Sequence, residues 1–302
     1  MKDFIQSLSD EFKDIYFIQG QNRGRYPYSH SLLINDFLLD TGISSGFLRK
    51  LRRRFAVNHI LLSHWHEDHI SGNRLFPNAN FYCHIKDKKI IEDLGLMNYY
   101  YFTQDNIEQI ELYSMILKGL HLQNTKIDIL LEDNMLIDVG DGMKIKVIHT
   151  PGHSGGHCCF LEPHSKIAFL ADIDLSSFGP WYGGRDSSAI AFEESIKKIE
   201  ELDIEIAVTS HKGVITGKKE VTESLKNYKQ IINKRDDKIL ENMNENKPKS
   251  SKDLSNMNII YTYYTDFKVY EVFVEEFMIN YHFERLLEKG LIEAKDMGYI
   301  LS

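Results

Sequence analysis

Residues 64–69 read His-Trp-His-Glu-Asp-His, three imidazoles and two carboxylates in six positions, directly behind the short apolar run Ile60-Leu61-Leu62. Polar groups of this density at the end of a strand need partners that offset the cost of taking them out of water. The fold must therefore bring other donors, or ions, to this loop. His64 and His66 alternate as on an extended segment, so both rings can converge on one ion, while Asp68 and His69 point to a neighbouring position where a second ion fits. Three fragments far along the chain repeat the theme. His153 stands in a Gly-rich turn (HTPGHSGGH) after the strand-like KIKVI, Asp172 follows KIAFL, and His211 follows IAVTS. That gives seven candidate ligands, each at a strand terminus.

The segments IYFIQG, SHSLLIND, FLLDTG, HILLSH, NFYCHI, MKIKVIHT, HCCFLE, KIAFLAD and IEIAVTSH are short and rich in β-branched, aromatic and leucine residues, and most end at Gly, Asp or His. Between them lie helical patterns: GFLRKLRRRF with Phe47, Leu51 and Phe55 on one face, an insert over about residues 86–126, and SSAIAFEESIKKIEELD with serine caps. Strands and helices alternate in an α/β pattern. The formal charge of −8 gives no general attraction to nucleic acid or an anionic membrane. Three cysteines, two of them adjacent (Cys83, Cys158, Cys159), suit a reducing compartment better than a disulfide framework. The acidic, charge-interrupted start does not read as a signal peptide, and no apolar run approaches the roughly 20 residues needed to cross a bilayer. A cytoplasmic location is expected.

The H-x-H-x-D-H run, the later histidine in a T-P-G-H turn, the later aspartate and the final histidine occur in the order that marks the metallo-β-lactamase fold superfamily, which the chain resembles over roughly residues 12–220. The resemblance implies an α+β chain folded as an αββα sandwich. It implies that His64, His66 and His153 hold one ion, that Asp68, His69 and His211 hold the other, and that Asp172 bridges them. Asp40, in the Asp-Thr-Gly at 40–42, would support the ligand loop from behind. The all-N,O donor set suits zinc, with iron or manganese also accepted. A water shared by two divalent ions loses a proton near neutral pH and becomes the expected nucleophile, and Asp68 is the ligand expected to orient it.

Four further residues are candidates for contact with substrate: His30, at the start of a strand that should end near the site, and Trp181, Tyr182 and Arg185, a few residues beyond Asp172. The basic RKLRRR run at 49–54 reads as the solvated face of a helix. Residues 222–302 read helix, short capped helix, long amphipathic helix and a hairpin turning at Asp296–Gly298, the order of a small winged-helix-like domain following a catalytic domain at 1–221. Its 12 Lys and Arg against 14 Asp and Glu argue for capping or homodimerisation rather than nucleic-acid binding. The expected activity is metal-dependent hydrolysis of a small ester or thioester, similar to glyoxalase II. Cleavage of RNA or another phosphodiester is the alternative, and iron-dependent redox chemistry the third reading.

Overall fold

The computed structural model describes residues 3–12, 14–101, 107–255, 257–263 and 268–302, except for the side chains of residues 107–109, 112, 116 and 269. The part of the expected insert at residues 102–106 lies outside these. Seven strands form the first sheet in sequence order: β1 (Ile5–Ser7), β2 (Ile15–Ile18), β3 (Ser31–Ile34), β4 (Phe37–Leu39), β5 (His59–Leu61), β6 (Asn80–His84) and β7 (Ile129–Leu131). The second holds β8 (Leu136–Gly140), β9 (Met143–His149), β10 (Cys158–Glu162), β11 (Ile167–Ala171), β12 (Ile206–Thr209) and β13 (Gly213–Thr216), again in sequence order across the sheet. Both are mixed: β4 to β7 run parallel, as do β11 and β12, and the other neighbours are antiparallel.

The sequence forms two sheets because its central strands are apolar on both faces. In β3 every residue is buried: Leu32 and Ile34 meet Val147, Phe160 and Phe169 of the opposite sheet, while Leu33 faces the outer helical layer. That layer carries α1 (Ser45–Leu51), α2 (Glu67–Ile70), α3 (Ile85–Glu92), α4 (Met97–Tyr101) and α5 (Ile107–Leu120). On the far side, α6 (Ala189–Glu200) and α7 (Lys218–Glu241) cover the second sheet, α6 being capped by Ser188, whose Oγ accepts from the Ala191 N–H. The result is an αββα sandwich. All nine expected strand segments contain a strand, whereas β1, β7, β8 and β13 carry weaker apolar patterns. The helix expected at GFLRKLRRRF stops at Leu51 and buries Leu48 with Leu51, leaving Phe47 and Phe55 at the edge of the core.

Beyond the sandwich follow α8 (Ser251–Leu254), opened by a capping box between Ser250 and Asp253, then α9 (Lys268–Glu288) and the hairpin β14 (Ile292–Lys295) and β15 (Gly298–Leu301). The boundary expected after residue 221 falls in the first turn of α7, at a buried valine. Phe192 and Ile196 of α6, Leu225, Tyr228 and Ile232 of α7, and Met278, Ile279 and Phe283 of α9 belong to one continuous apolar cluster. The C-terminal segment therefore shares its core with the second sheet. No helix among the described residues is long and apolar enough to cross a membrane.

Candidate metal centre

The functional side chains sit where parallel strands and tight turns leave the sheets. The 64–69 loop follows β5, the His153 turn follows β9, Asp172 follows β11, and His211 lies in the turn between β12 and β13. The donor atoms of His64, His66, His153 and Asp172 form one group and those of Asp68, His69 and His211 a second, the atoms of each lying within 4.8 Å of one another. In the first, His153 Nε2 is 3.1 Å from His64 Nε2 and 2.8 Å from His66 Nδ1. Asp172 reaches both groups: Oδ2 lies 3.2 Å from His153 Nε2, and Oδ1 lies 3.1 Å from His69 Nε2 and 3.5 Å from His211 Nε2. Asp68 Oδ2 is 3.4 Å from His211 Nε2.

In four of the five histidines the opposite ring nitrogen is held by the protein, which fixes tautomers and ring directions. Nδ1–H of His69 donates to Asp40 (2.7 Å), that of His153 to the Trp181 carbonyl (2.9 Å), and that of His211 to the Gly24 carbonyl (2.7 Å), leaving each Nε2 for the shared centre. His64 Nδ1 pairs with Ser63 Oγ (2.9 Å), whose hydroxyl donates to Asp40 (2.6 Å). Asp40 also accepts from the Ser63 N–H at 2.7 Å, so one fully buried carboxylate orients two ligand rings and their loop. The loop packs so closely on Gly42 that a Cβ there would stand 1.6 Å from the Asp68 carbonyl oxygen, which accounts for glycine at that position.

Burial, then the rings of His69, His66 and His153, hold His64 well below the usual histidine range, and burial followed by His153 does the same to His66. Burial opposes charge on His211 too, but Asp172 and Asp68 outweigh it and push that histidine up to about 10. Asp172 remains ionised against its burial because His69, His211 and His153 surround it. The buried His69 Nε2 and Asp172 Oδ1 have no hydrogen-bond partner. Converging ring nitrogens that repel one another, an anion between them and orphaned buried donor atoms fit a pair of divalent cations.

The remaining sequence candidates fall elsewhere. Trp181 stands beside the first group, its ring 5.5 Å from that of His66 and 5.4 Å from that of His153. Tyr182 does not face the centre: it is fully buried and hydrogen-bonded to His282 (2.8 Å) and Arg235 (2.9 Å), its side chain entering the core under α7 and α9. His30, 3% exposed, accepts the Gly20 N–H on Nδ1 (2.9 Å) and packs under Gly24. Its place is thus to support the turn that holds His211, rather than to meet substrate. Arg185 lies over the rings of Tyr99 (4.8 Å) and Phe277 (6.0 Å), between the insert and α9.

Three residues of the site escape sequence reading. His157 Nε2 accepts the Asp172 N–H (3.2 Å) while Nδ1–H donates to Thr150, so it seats the bridging candidate through its backbone. Arg235 donates to the carbonyls of Phe178 and Pro180, gripping the loop that carries Trp181. Glu67, within the histidine motif itself, is bound to three tyrosines. His157 alone carried a signal, its place four residues after His153.

An αββα sandwich with two His/Asp donor groups converging at its edge places a candidate two-metal centre where the strands end. Residues 28–211 match the metallo-beta-lactamase superfamily, and the chain belongs to it. It is similar to an atrochrysone carboxyl ACP thioesterase of Cryptosporiopsis sp., 26% identical over 184 residues, 56% of this chain and 46% of that protein. A hydroxyacylglutathione hydrolase of Francisella tularensis subsp. novicida is 24% identical over 188 residues, 60% of this chain and 58% of that one. The chain thus spans about half the length of these curated relatives. A beta-lactamase domain protein from Burkholderia ambifaria shares the fold at a TM-score of 0.75, with 15% identity and coverage of 99% of this chain and 94% of that one.

Proposed function

We propose that the chain hydrolyses an acyl thioester of a small thiol carrier, at a dinuclear centre held by His64, His66 and His153 on one side, Asp68, His69 and His211 on the other, and Asp172 between them. The observation that carries this reading is the convergence of those seven side chains, four of whose histidines, His64, His69, His153 and His211, have their outward nitrogens fixed by Ser63, Asp40, Trp181 and Gly24. Two divalent ions, zinc for preference, would supply an acidified water and an electrophile for the acyl oxygen. The chain's own contribution is to hold these ligands still, to offer Asp68 as the group that orients the attacking water, and to place the Trp181 ring beside the first triad. The thioester is favoured over other acyl compounds because both curated relatives are named for releasing an acyl group from a thiol carrier.

Lys249 pairs with Tyr299 of the hairpin, so α7, this one bridge, α8, α9 and the two strands follow the winged-helix order, and we read the segment as winged-helix-like. Its acidic balance favours a covering role over nucleic-acid binding, and a homodimer through it is compatible with a cytoplasmic enzyme. The test is metal analysis of the purified protein joined to a hydrolysis screen over acyl thioesters, lactones, phosphodiesters and single-stranded RNA, with zinc, manganese or iron restored separately. Two ions per chain and turnover confined to thioesters support the reading. Turnover confined to RNA or phosphodiesters replaces it, and iron-specific redox activity does so too.

A further inference from the structure

Glu67 lies between two residues of the metal centre, Asp68 and His66, yet its carboxylate belongs to neither group of converging donors. It is 4% exposed and accepts three phenolic hydrogen bonds: Oε1 from Tyr26 (2.8 Å), and Oε2 from Tyr101 (3.0 Å) and Tyr113 (2.8 Å). The three tyrosines come from separate stretches of chain. Tyr26 stands in the turn after β2, the same turn that offers the Gly24 carbonyl to His211, and its ring is half exposed. Tyr101 ends α4 and Tyr113 lies within α5, both in the insert, with their rings 5.0 Å apart. A carboxylate buried with three O–H donors is satisfied and held from several directions, which a merely solvated surface acid is not.

The consequence for the centre is geometric. The Tyr101 ring stands 5.4 Å from that of His66 and 4.8 Å from that of Trp65, while Trp181 approaches His66 at 5.5 Å. Two aromatic side chains, one from the insert and one from the loop after β11, therefore flank a single ligand ring. The Tyr101 and Tyr113 hydroxyls tie the insert to Glu67, and Tyr26 ties the opposite turn to the same anchor.

We propose that Glu67 is a positioning residue that latches α4 and α5 and the Tyr26 turn to the metal loop, so that Tyr101 forms a fixed wall beside His66 that selects acyl groups by bulk. The inference rests on the thioesterase reading for its substrate arm and is independent of it for its structural arm.

The experiment compares the zinc-loaded wild type with Glu67→Ala, Glu67→Gln and the double variant Tyr101→Phe with Tyr113→Phe, which leaves Glu67 in place beside Asp68. Metal content, kcat/KM for an acetyl and a benzoyl thioester, and hydrogen exchange of the α5 amides are measured. The acetyl-to-benzoyl preference is expected to shift toward the bulky acyl group by about tenfold in Glu67→Ala and in the double variant, with two ions retained in the latter. Glutamine keeps one acceptor and offers N–H groups to phenolic oxygens, so Glu67→Gln should stay within about threefold of wild type. The α5 amides should exchange at least about tenfold faster in the alanine and double variants. A double variant with both ions, unchanged acyl preference and unchanged α5 exchange overturns the proposal, even where Glu67→Ala has lost metal. If the wild type cleaves neither thioester, the thioesterase reading falls, and α5 exchange alone decides the latch: faster exchange upholds it and unchanged exchange overturns it.

Discussion

Arg235 offers the sharpest test of how the C-terminal helices serve the metal centre. Its guanidinium, 3% exposed, donates to the Pro180 carbonyl, to the Phe178 carbonyl at 2.7 Å and to the Tyr182 hydroxyl at 2.9 Å, and stacks on the Phe178 and Tyr182 rings. Replacing it by methionine keeps most of the bulk and removes all three bonds. Tyr182 retains His282 as a partner, but the buried Pro180 carbonyl and the half-buried Phe178 carbonyl lose their donor. Hydrogen bonds to a charged donor contribute about 1.5–3 kcal/mol each and are not additive, so a loss of about 3–5 kcal/mol follows. At about 2–4 °C per kcal/mol for a large domain, Tm should fall by about 6–20 °C. The released loop carries the Trp181 carbonyl that orients His153, and losing such outer support weakens metal binding by about 10- to 100-fold. Thermal melts with and without zinc, together with competitive zinc titration against a chelating dye, measure both effects. Arg235→Lys should fall between, since one ammonium cannot span three acceptors laid out for a planar fork. A methionine variant that melts within about 2 °C of wild type and binds both ions unchanged would refute the coupling.

Other outcomes follow from the same geometry. Asp172→Ala removes the only carboxylate among the described residues that reaches both donor groups, so metal content and turnover should drop together, checked by elemental analysis beside the rate. Asp68→Asn should lower kcat by about 100-fold while KM stays within about threefold, because the change removes charge and proton acceptance rather than substrate contact. His84 stacks on His149 at 3.9 Å, and burial, with His149 and Lys86, holds it down at about 4. The unfolded chain therefore takes up this proton near the ordinary histidine value of about 6.5 and the folded chain does not, so stability should fall as pH drops from about 6.5 to about 4 and level off below. Denaturant midpoints across that window should show a shallower fall in His84→Gln, and an identical profile would count against the assignment.

The convergence of the seven candidate donors was legible because each sits at a strand end, where a break in apolar pattern exposes a polar residue to view. The alternation of His64 and His66 and the Gly-rich turn around His153 carry local signals of that kind. The αββα architecture was legible through the resemblance, and the doubly apolar β3 supplies its physical reason. What stayed hidden depends on pairs distant in sequence. Tyr182 follows Trp181 directly, and only the packing of α7 and α9 decides that one faces the centre and the other the core. Arg235 looks like any arginine on an amphipathic helix, since the carbonyls it holds lie 55 and 57 residues upstream. Glu67 reads as part of a ligand motif, and its three tyrosines are 34 to 46 residues away. The expected boundary at residue 221 falls inside α7, a helix that packs on both the sandwich and the C-terminal segment and so carries no compositional seam.

The two sheets contribute to the centre unequally in time as well as in space. His64, His66, Asp68 and His69 arrive from the first sheet, whereas His153, Asp172 and His211 arrive from the second, up to 147 residues later in the chain for His211 relative to His64. Neither half can hold a dinuclear cluster before the sandwich closes, and closing loops of that length is slow. On the proposed function, uptake of both ions should follow that docking step, and its rate should report on it. An ion once seated becomes a rivet between the layers, and it should retard their separation far more than it alters either sheet alone.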